Sequence, residues 1–407
     1  MRVTITPGKL TGKIDAVSSK SYLHRMLLCA AMSDRETVIR LNCRSKDVDA
    51  TIRCVEAMGA TVSVQEGSLT VYPVVISEKS PRLNCGESGS TARFVLPMAA
   101  AVCGGGTLIG EGRLPARPFG AICTVMEENG CTFSSYSLPM TVTGPLKSGT
   151  YRIPANISSQ YISALMMSLP LVDGDSEIVF TTEVESEGYL DITEEVMRTF
   201  GMSIEKTVTG YKIEGNRNYC SPGEVTAEGD WSNGAFWVAA NAMGSEIAVG
   251  NLKADSLQRD RQIVLVADKL FSGEGELVID GSDIPDIIPI LAVMACKRIG
   301  RTRFVNCGRL RLKESDRLTT VATLICALGG SAIVDKDDLI VDGCGKLVGG
   351  EIDSFKDHRI VMSAAIAATI CTESVTITNA QDVAKSYPEF FEDYRKLGKD
   401  DKIEYCE

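Results

Sequence analysis

The chain has 407 residues, 44 % of them hydrophobic, and its 42 Lys and Arg against 53 Asp and Glu give a formal net charge of −11. That length suits two or three domains with full apolar cores, and the acidic balance excludes a broad nucleic-acid or anionic-membrane surface. No apolar run is long enough to span a membrane and residues 1–15 show no signal-peptide pattern, so a soluble, cytoplasmic protein is expected.

The chain then repeats one order of elements. VTIT reads as a strand leading to a helix that begins near Lys20. Strand ETVIRLNC, helix SKDVDATIRCVEAMG and the short strands ATVSVQ and SLTVYP follow. The order returns from Gly89 with helix STARFVLPMAAAV, strand TLIGEG, helix RPFGAICTVMEENG, and strands CTFSSY and MTVTGP. It returns from Ser158 with SQYISALMMSL, EIVFTTEV, GYLDITEEVMRTFG, SIEKTV and YKIEG. Further copies start near Asp230, Asp286 and His358. Each second helix runs into a glycine (Gly59, Gly130, Gly201, Gly273, Gly329, Gly398), the residue that closes a helix in the left-handed conformation. A period of about seventy residues is too long for a solenoid, so each copy is a small α/β unit and three make a domain. The turn-rich stretch SPGEVTAEGD, residues 221–230, is the expected break.

The fourteen cysteines include Cys29, Cys54, Cys296, Cys326 and Cys371 in apolar runs. With no C-x-x-C and only His24 and His358 as histidines, no zinc site is expected. The cysteines read as small buried residues in a reducing compartment.

Polar and charged residues collect where the first helix of a unit begins. SSKSYLHR places Lys20, Ser21 and Arg25 there. Helix N-termini carry free N–H groups and the positive end of the dipole, so a cation is misplaced unless an anion accompanies it. GESGSTARF supplies Gly89, RLPARPFGAI puts Arg117 before a helix-starting proline, and ISSQY supplies Ser158, Ser159 and Gln160. RLKESDRL packs Lys313, Glu314 and Arg317 into one helical turn, KDHRIVMS adds Arg359 after an Asp cap, and AKSYPEFF sets Lys385 near another helix start. Each cluster alone reads as a cap, a solvated arginine or a surface ion pair. Seven cations at corresponding starts in an acidic chain point to a site for two small, highly charged anions.

SKSYLHR, ESGSTAR, ARPFGAI, SSQY, SEGYLDIT, DIPD, LKESDR, DHR and AKSYP, in this order and spacing, resemble the 5-enolpyruvylshikimate-3-phosphate synthase family. The resemblance implies a two-domain inverse α/β barrel of six βαβαββ-like units, three per domain. Residues 19–228 would form the N-terminal domain, and residues 1–18 with 229–407 the C-terminal domain, with the active site in the cleft and bound anions favouring closure. It implies transfer of the enolpyruvyl group of phosphoenolpyruvate to the 5-hydroxyl of shikimate 3-phosphate, with release of phosphate. Shikimate 3-phosphate would meet Lys20, Ser21, Arg25, Ser158, Ser159, Gln160, Ser186, Asp286 and Lys313. Phosphoenolpyruvate would meet Lys20, Gly89, Arg117, Gln160, Arg317, Arg359 and Lys385. Asp286 resembles the proton acceptor and Glu314 the group that moves a proton at C3, with Lys20 and Lys385 also catalytic. No metal or other cofactor is implied. The expected partners are these two small molecules, with no nucleic acid and no membrane, and the chain acts as a monomer.

The sequence departs from the family at Glu87 and Arg309, where asparagine is frequent. The related UDP-N-acetylglucosamine enolpyruvyl transferase carries a cysteine in the loop that here reads GEGRLPARP, flanked only by Cys103 and Cys123. An RNA-end-binding protein on similar repeats would need a broad basic face and a nucleophilic histidine such as His358.

Overall fold

The repeats of the sequence appear as βαβαββ elements that share one pairing plan. The computed structural model describes residues 1–76, 79–273, 275–398 and 403–406. Its contacts divide the chain into two units, Ser18–Glu228 and Met1–Val17 with Gly229–Glu407.

Within Ser18–Glu228 the plan is clearest in the Gly89 copy. Strand Arg82–Asn84 leads through helix Gly89–Val102 to strand Gly105–Ile109, and the two strands pair in parallel with Leu83 opposite Leu108. Helix Gly120–Glu127 then leads to Thr132–Phe133 and Met140–Thr143, which pair antiparallel as a hairpin and add to the sheet beside Gly105–Ile109. Thr150–Ile153, Ser176–Phe180, Glu205–Thr207 and Gly210–Ile213 repeat this order. The first sheet takes its leading strand from far along the chain. Glu224–Thr226 lies parallel to Thr37–Arg40, so the expected linker at 221–230 contains a strand. It closes three sheets onto one core rather than leaving the first without a leading strand.

The other unit uses the plan with two departures. The first strand of the chain, Arg2–Ile5, does not serve the Lys20 helix. It lies antiparallel between Val375–Thr378 and Ile403–Cys406 and completes the last sheet. Thr11–Asp15 pairs in parallel with Glu246–Gly250, and among the described residues this sheet has only those two strands. Among the described residues the fourth copy thus lacks the hairpin that the repeat pattern predicts.

The first helix of each copy is buried nearly all round. Every residue of His358–Ala367 is buried, and only the terminal Lys297 of Ile288–Lys297 and Gln160 of Ser159–Ser168 escape. The second helices, such as Lys46–Ala57 and Gly188–Thr199, bury one face and leave the other polar. First helices pack on one another, Gly89–Val102 on Ser159–Ser168 and Ile288–Lys297 on His358–Ala367. The strands alternate, as in Thr150–Ile153 with Tyr151 and Ile153 inward. Helices therefore form the core of each unit and the sheets its shell.

Gly59, Gly130, Gly201 and Gly329 take the positive φ expected of helix stops. Gly273 does not: its φ is −141°, extended, because the Ile263–Ser272 helix ends without a left-handed turn. Gly398 is the last helical residue of Phe390–Gly398. Among the cysteines, Cys29, Cys54 and Cys296 are buried as expected, but Cys326 is exposed and Cys371 half-buried, because each lies where its element meets the surface. No described helix is long and apolar enough to cross a membrane.

A single methyl group tests how tightly the hairpins close on the parallel strands. Gly210 has φ +153°, and a Cβ there would lie 1.8 Å from the Ile178 carbonyl oxygen. Gly223 has φ +86° with nothing within 4 Å of the added carbon. Gly210→Ala is expected to cost about 3 kcal/mol or more, and Gly223→Ala about 1–2 kcal/mol, the intrinsic left-handed penalty. Urea denaturation compares them, and equal midpoints would mean that the Ile178 strand yields freely.

Candidate active site

In Ser18–Glu228, Lys20 opens the helix Lys20–Ala31 and its ammonium lies 2.8 Å from Asp47 Oδ2. Asp47 is itself in the first turn of Lys46–Ala57, where the dipole favours a carboxylate. The misplaced cation is thus answered by a neighbouring helix start. Arg25, one turn further on, is 2 % exposed. Its Nε donates to Thr193 Oγ1 at 2.7 Å, Nη1 to the Ser21 carbonyl at 2.8 Å, and Nη2 to Ser163 Oγ and the Tyr189 carbonyl at 3.2 and 3.0 Å. Phe94 stacks beneath it, 4.9 Å from the ring centre. Burial lowers the Arg25 pKa to about 10.

Gly89 begins its helix behind the Ser88 cap, whose oxygen accepts from the Thr91 N–H. Its missing side chain has a direct use: a Cβ would lie 2.5 Å from Arg117 Nη1 and 3.1 Å from Arg93 Nη1. Two guanidinium groups therefore crowd the start of this helix. Arg93 donates to Gln160 Oε1 at 2.5 Å, Gln160 Nε2 donates to Ser90 Oγ at 2.8 Å, and Arg93 lies over the rings of Phe119 and Tyr161. Ser158 caps the Ser159–Ser168 helix by accepting from the Gln160 N–H at 3.3 Å, and Ser159 is buried beside it. Ser186 has φ +57° and is buried ahead of Gly188–Thr199. Glu87 turns its carboxylate onto Gly112, so close that a Cβ there would sit 2.3 Å from Oε1.

In the other unit the chemistry gathers on Arg317, whose side chain is 1 % exposed. Nε donates to Asp357 Oδ2 at 2.8 Å, Nη1 to Asp286 Oδ1 at 2.6 Å, and Nη2 to Glu314 Oε2 at 2.7 Å. Asp357 also caps the His358–Ala367 helix by accepting from the Arg359 N–H at 2.9 Å. Lys313 Nζ stands 3.2 Å from Asp286 Oδ1, and Lys385 Nζ 3.9 Å from Glu314 Oε1. Burial pushes the Asp286 pKa up, but Lys313, Arg317 and Arg359 together outweigh it and hold the carboxyl well below its ordinary value. Burial, with Arg317 and Arg309 nearby, lowers Lys313 to about 8 against the pull of Asp286 and Glu314. Arg359 is 3 % exposed, with Nη1 donating to the Ser232 carbonyl at 2.6 Å. His358 is 2 % exposed with Nδ1 3.7 Å from Asp357, which removes it as an open nucleophile.

Three sequence expectations about placement are corrected. Arg117 caps the C-terminal end of the 3-10 turn Leu114–Ala116, and the following helix starts at Gly120, beyond Pro118. Lys313 ends the 3-10 turn Gly308–Leu312 in extended geometry, so Lys313 and Glu314 precede the Arg317–Ala327 helix rather than sharing a turn with Arg317. Lys385 ends the 3-10 turn Ala380–Lys385, ahead of the helix Phe390–Gly398, rather than standing at the start of an element. All three cations lie at the C-terminal ends of short 3-10 turns. Lys20, Arg317 and Arg359 do stand in first helical turns.

Sequence reading missed Arg93, Asp47 and the second task of Asp357. Arg93 had a signal, standing four residues after Gly89 on the same helix face. Asp47 and Asp357 had none, because their partners lie 27 and 40 residues away.

A family model described as EPSP synthase (3-phosphoshikimate 1-carboxyvinyltransferase) matches residues 5–394. A 3-phosphoshikimate 1-carboxyvinyltransferase of Clostridium beijerinckii is 38 % identical over 421 residues, covering 97 % of both chains. One from Clostridium perfringens is 39 % identical over 417 residues, covering 98 % of each. An EPSP synthase structure from Acinetobacter baumannii superposes with a TM-score of 0.82 at 22 % identity, covering all of both chains. The fold shared with that structure is the inverse α/β barrel of repeated βαβαββ-like units expected from the sequence. A match along nearly the whole chain, at these identities, means that this protein belongs to the EPSP synthase (3-phosphoshikimate 1-carboxyvinyltransferase) family.

Proposed function

We propose that this enolpyruvyl transferase of the shikimate pathway joins the 5-hydroxyl oxygen of shikimate 3-phosphate to C2 of phosphoenolpyruvate. In the addition step the hydroxyl loses its proton, the new C–O bond forms and C3 gains a proton. In the elimination step C3 loses a proton, the C2–O bond to phosphate breaks and inorganic phosphate leaves. The observation that carries the assignment of roles is the network on Arg317, which holds two carboxylates beside two lysines in fixed positions.

Asp286, kept ionised by Lys313, Arg317 and Arg359, suits the proton acceptor for the hydroxyl. Glu314, held by Arg317 and facing Lys385, suits the group that gives and takes the proton at C3. Lys20, Ser21, Arg25, Ser158, Ser159, Gln160, Ser186, Asp286 and Lys313 are the proposed ligands of shikimate 3-phosphate. Lys20, Gly89, Arg117, Gln160, Arg317, Arg359 and Lys385 are those of phosphoenolpyruvate. The cations neutralise two polyanions and the charge that develops on the intermediate. Phosphate release with each substrate omitted in turn tests the reaction itself.

Glu314→Gln keeps a hydrogen-bond partner for Arg317 but not the proton. It is expected to bind both substrates and to lose about a hundred- to ten-thousand-fold in kcat. Wild-type turnover would return Glu314 to a structural ion pair.

Gly89→Ala sets a methyl against Arg117 Nη1 and Arg93 Nη1. Displacing guanidinium groups should raise KM for phosphoenolpyruvate about tenfold, the effect of roughly 1.4 kcal/mol, with a smaller change for shikimate 3-phosphate. Equal shifts for both substrates would place Arg117 outside the phosphoenolpyruvate set.

Cys103 and Cys123 are 4 % and 0 % exposed. Burial raises the thiol pKa of Cys123 to about 12, far from a reactive thiolate. Cys103→Ser and Cys123→Ser should therefore retain turnover in the folded fraction. An inactive, folded variant would favour the UDP-N-acetylglucosamine type of site.

A further inference from the structure

One buried carboxyl group beside this network has no task in the proposed reaction. Asp260 is 4 % exposed and lies in the short 3-10 turn Arg259–Gln262. The Ser232 hydroxyl donates to its Oδ2. The backbone carbonyl of the same serine accepts from Arg359 Nη1 at 2.6 Å. Asn233 Oδ1 adds a second, longer contact to that nitrogen at 3.3 Å. Arg359 Nε is buried and, among the described residues, has no hydrogen-bond partner. Ser232 thus links the carboxyl group to the guanidinium, with its side chain on Asp260 and its main chain on Arg359.

Lys313, Arg317 and Lys385 are matched by Asp286, Glu314 and Asp357. Arg359, which also acts on Asp286, and Asp260 add a further cation and a further carboxyl group, with Arg309 near Lys313 and Asp230 near Asp260. The ionisable groups that act on Asp260 include Asp286 ahead of the Ile288–Lys297 helix, Arg359 at the start of His358–Ala367 and Asp230 at the start of Trp231–Ala242; its own turn carries Arg259 and Arg261, and the Ile263–Ser272 helix packed on that turn carries Asp268 and Lys269. The Trp231–Ala242 helix itself carries no ionisable side chain.

We propose that Asp260 is a positioning residue of the carboxyvinyl-transfer site, which orients Arg359 through Ser232 and sets how much of its positive charge is left for a substrate anion. The proposal rests on the reading of Arg359 as a phosphoenolpyruvate ligand. Burial and the Asp286 carboxylate raise the Asp260 pKa to about 7, against the pull of Ser232 and Arg359. Asp34, Glu224, Asp280, Asp286 and Asp342 all shift the other way. Asp260 is therefore neutral below neutrality and anionic above it. In the anionic form it opposes the binding of a second anion at Arg359. Affinity for phosphoenolpyruvate falls as pH rises through that value.

Asp260→Asn keeps an acceptor for Ser232 and removes the charge. KM for phosphoenolpyruvate should agree between wild type and variant at pH 6. At pH 8 the wild-type value should exceed that of the variant by about three- to tenfold, as for a partly screened unit charge. The ionisation of the substrates cancels in this ratio. KM for shikimate 3-phosphate should move less, and Asp260→Glu should restore the pH dependence. Parallel profiles in wild type and Asp260→Asn overturn the proposal. If Asp260→Asn does not fold, Ser232→Ala provides the test. It removes a hydrogen bond that favours the carboxylate, so the rise in KM should move to higher pH, and an unmoved profile overturns the proposal. A wild type that does not turn over the two substrates overturns the activity instead, whatever Asp260 does.

Discussion

A helix with no solvent face can carry polar chemistry only at its ends, and that constraint organises each unit of this protein. The first helix of every copy is buried along most of its length. Its opening turn still has backbone N–H groups without intrahelical partners. Serine and aspartate caps answer some of them, at Ser88, Ser158, Asp230 and Asp357. Because the first helices pack on one another, their starts meet. Gln160 thereby reaches Ser90 and Arg93, and Arg359 reaches Ser232. The sheets and the amphipathic second helices complete the shell around these buried rods.

Charge at those starts is tolerated because it is matched in place. A guanidinium as buried as Arg317 would cost several kcal/mol if left alone. Here Asp286, Glu314 and Asp357 each take one or more of its donors. The same partners fix its orientation, so the network gives up side-chain freedom once, on folding, rather than at each catalytic cycle. Matching also sets proton affinities. The cations that surround Asp286 hold it ionised, whereas Asp260, with a carboxylate neighbour and deeper burial, keeps its proton near neutrality. Two neighbouring aspartates thus have proton affinities pushed in opposite directions by the charges around them.

The repeat is also the reason why small residues recur at crowded points. Gly89 makes room for two arginines, and Gly210 for the carbonyl of Ile178. A side chain at either position would meet guanidinium or backbone atoms. The first case concerns the site and the second the sheet, yet both follow from close approach rather than from turn geometry.

The sequence by itself determined what local pattern can encode. Apolar periodicity marked the helices, alternation marked the strands, and polar clusters at helix starts marked Lys20, Gly89, Gln160 and Arg359. Motif order and spacing identified the family. Tertiary structure decided whatever depends on residues far apart in the chain. It took the leading strand of the first sheet from Glu224–Thr226 and used Arg2–Ile5 to finish the last one. It placed Arg117, Lys313 and Lys385 at the ends of 3-10 turns, which are too short for apolar periodicity to register. It also supplied the counter-charges, Asp47 for Lys20 and Asp357 for Arg317. A carboxylate tens of residues from its partner leaves no mark in spacing, because the pair exists only once the buried helices have brought their ends together.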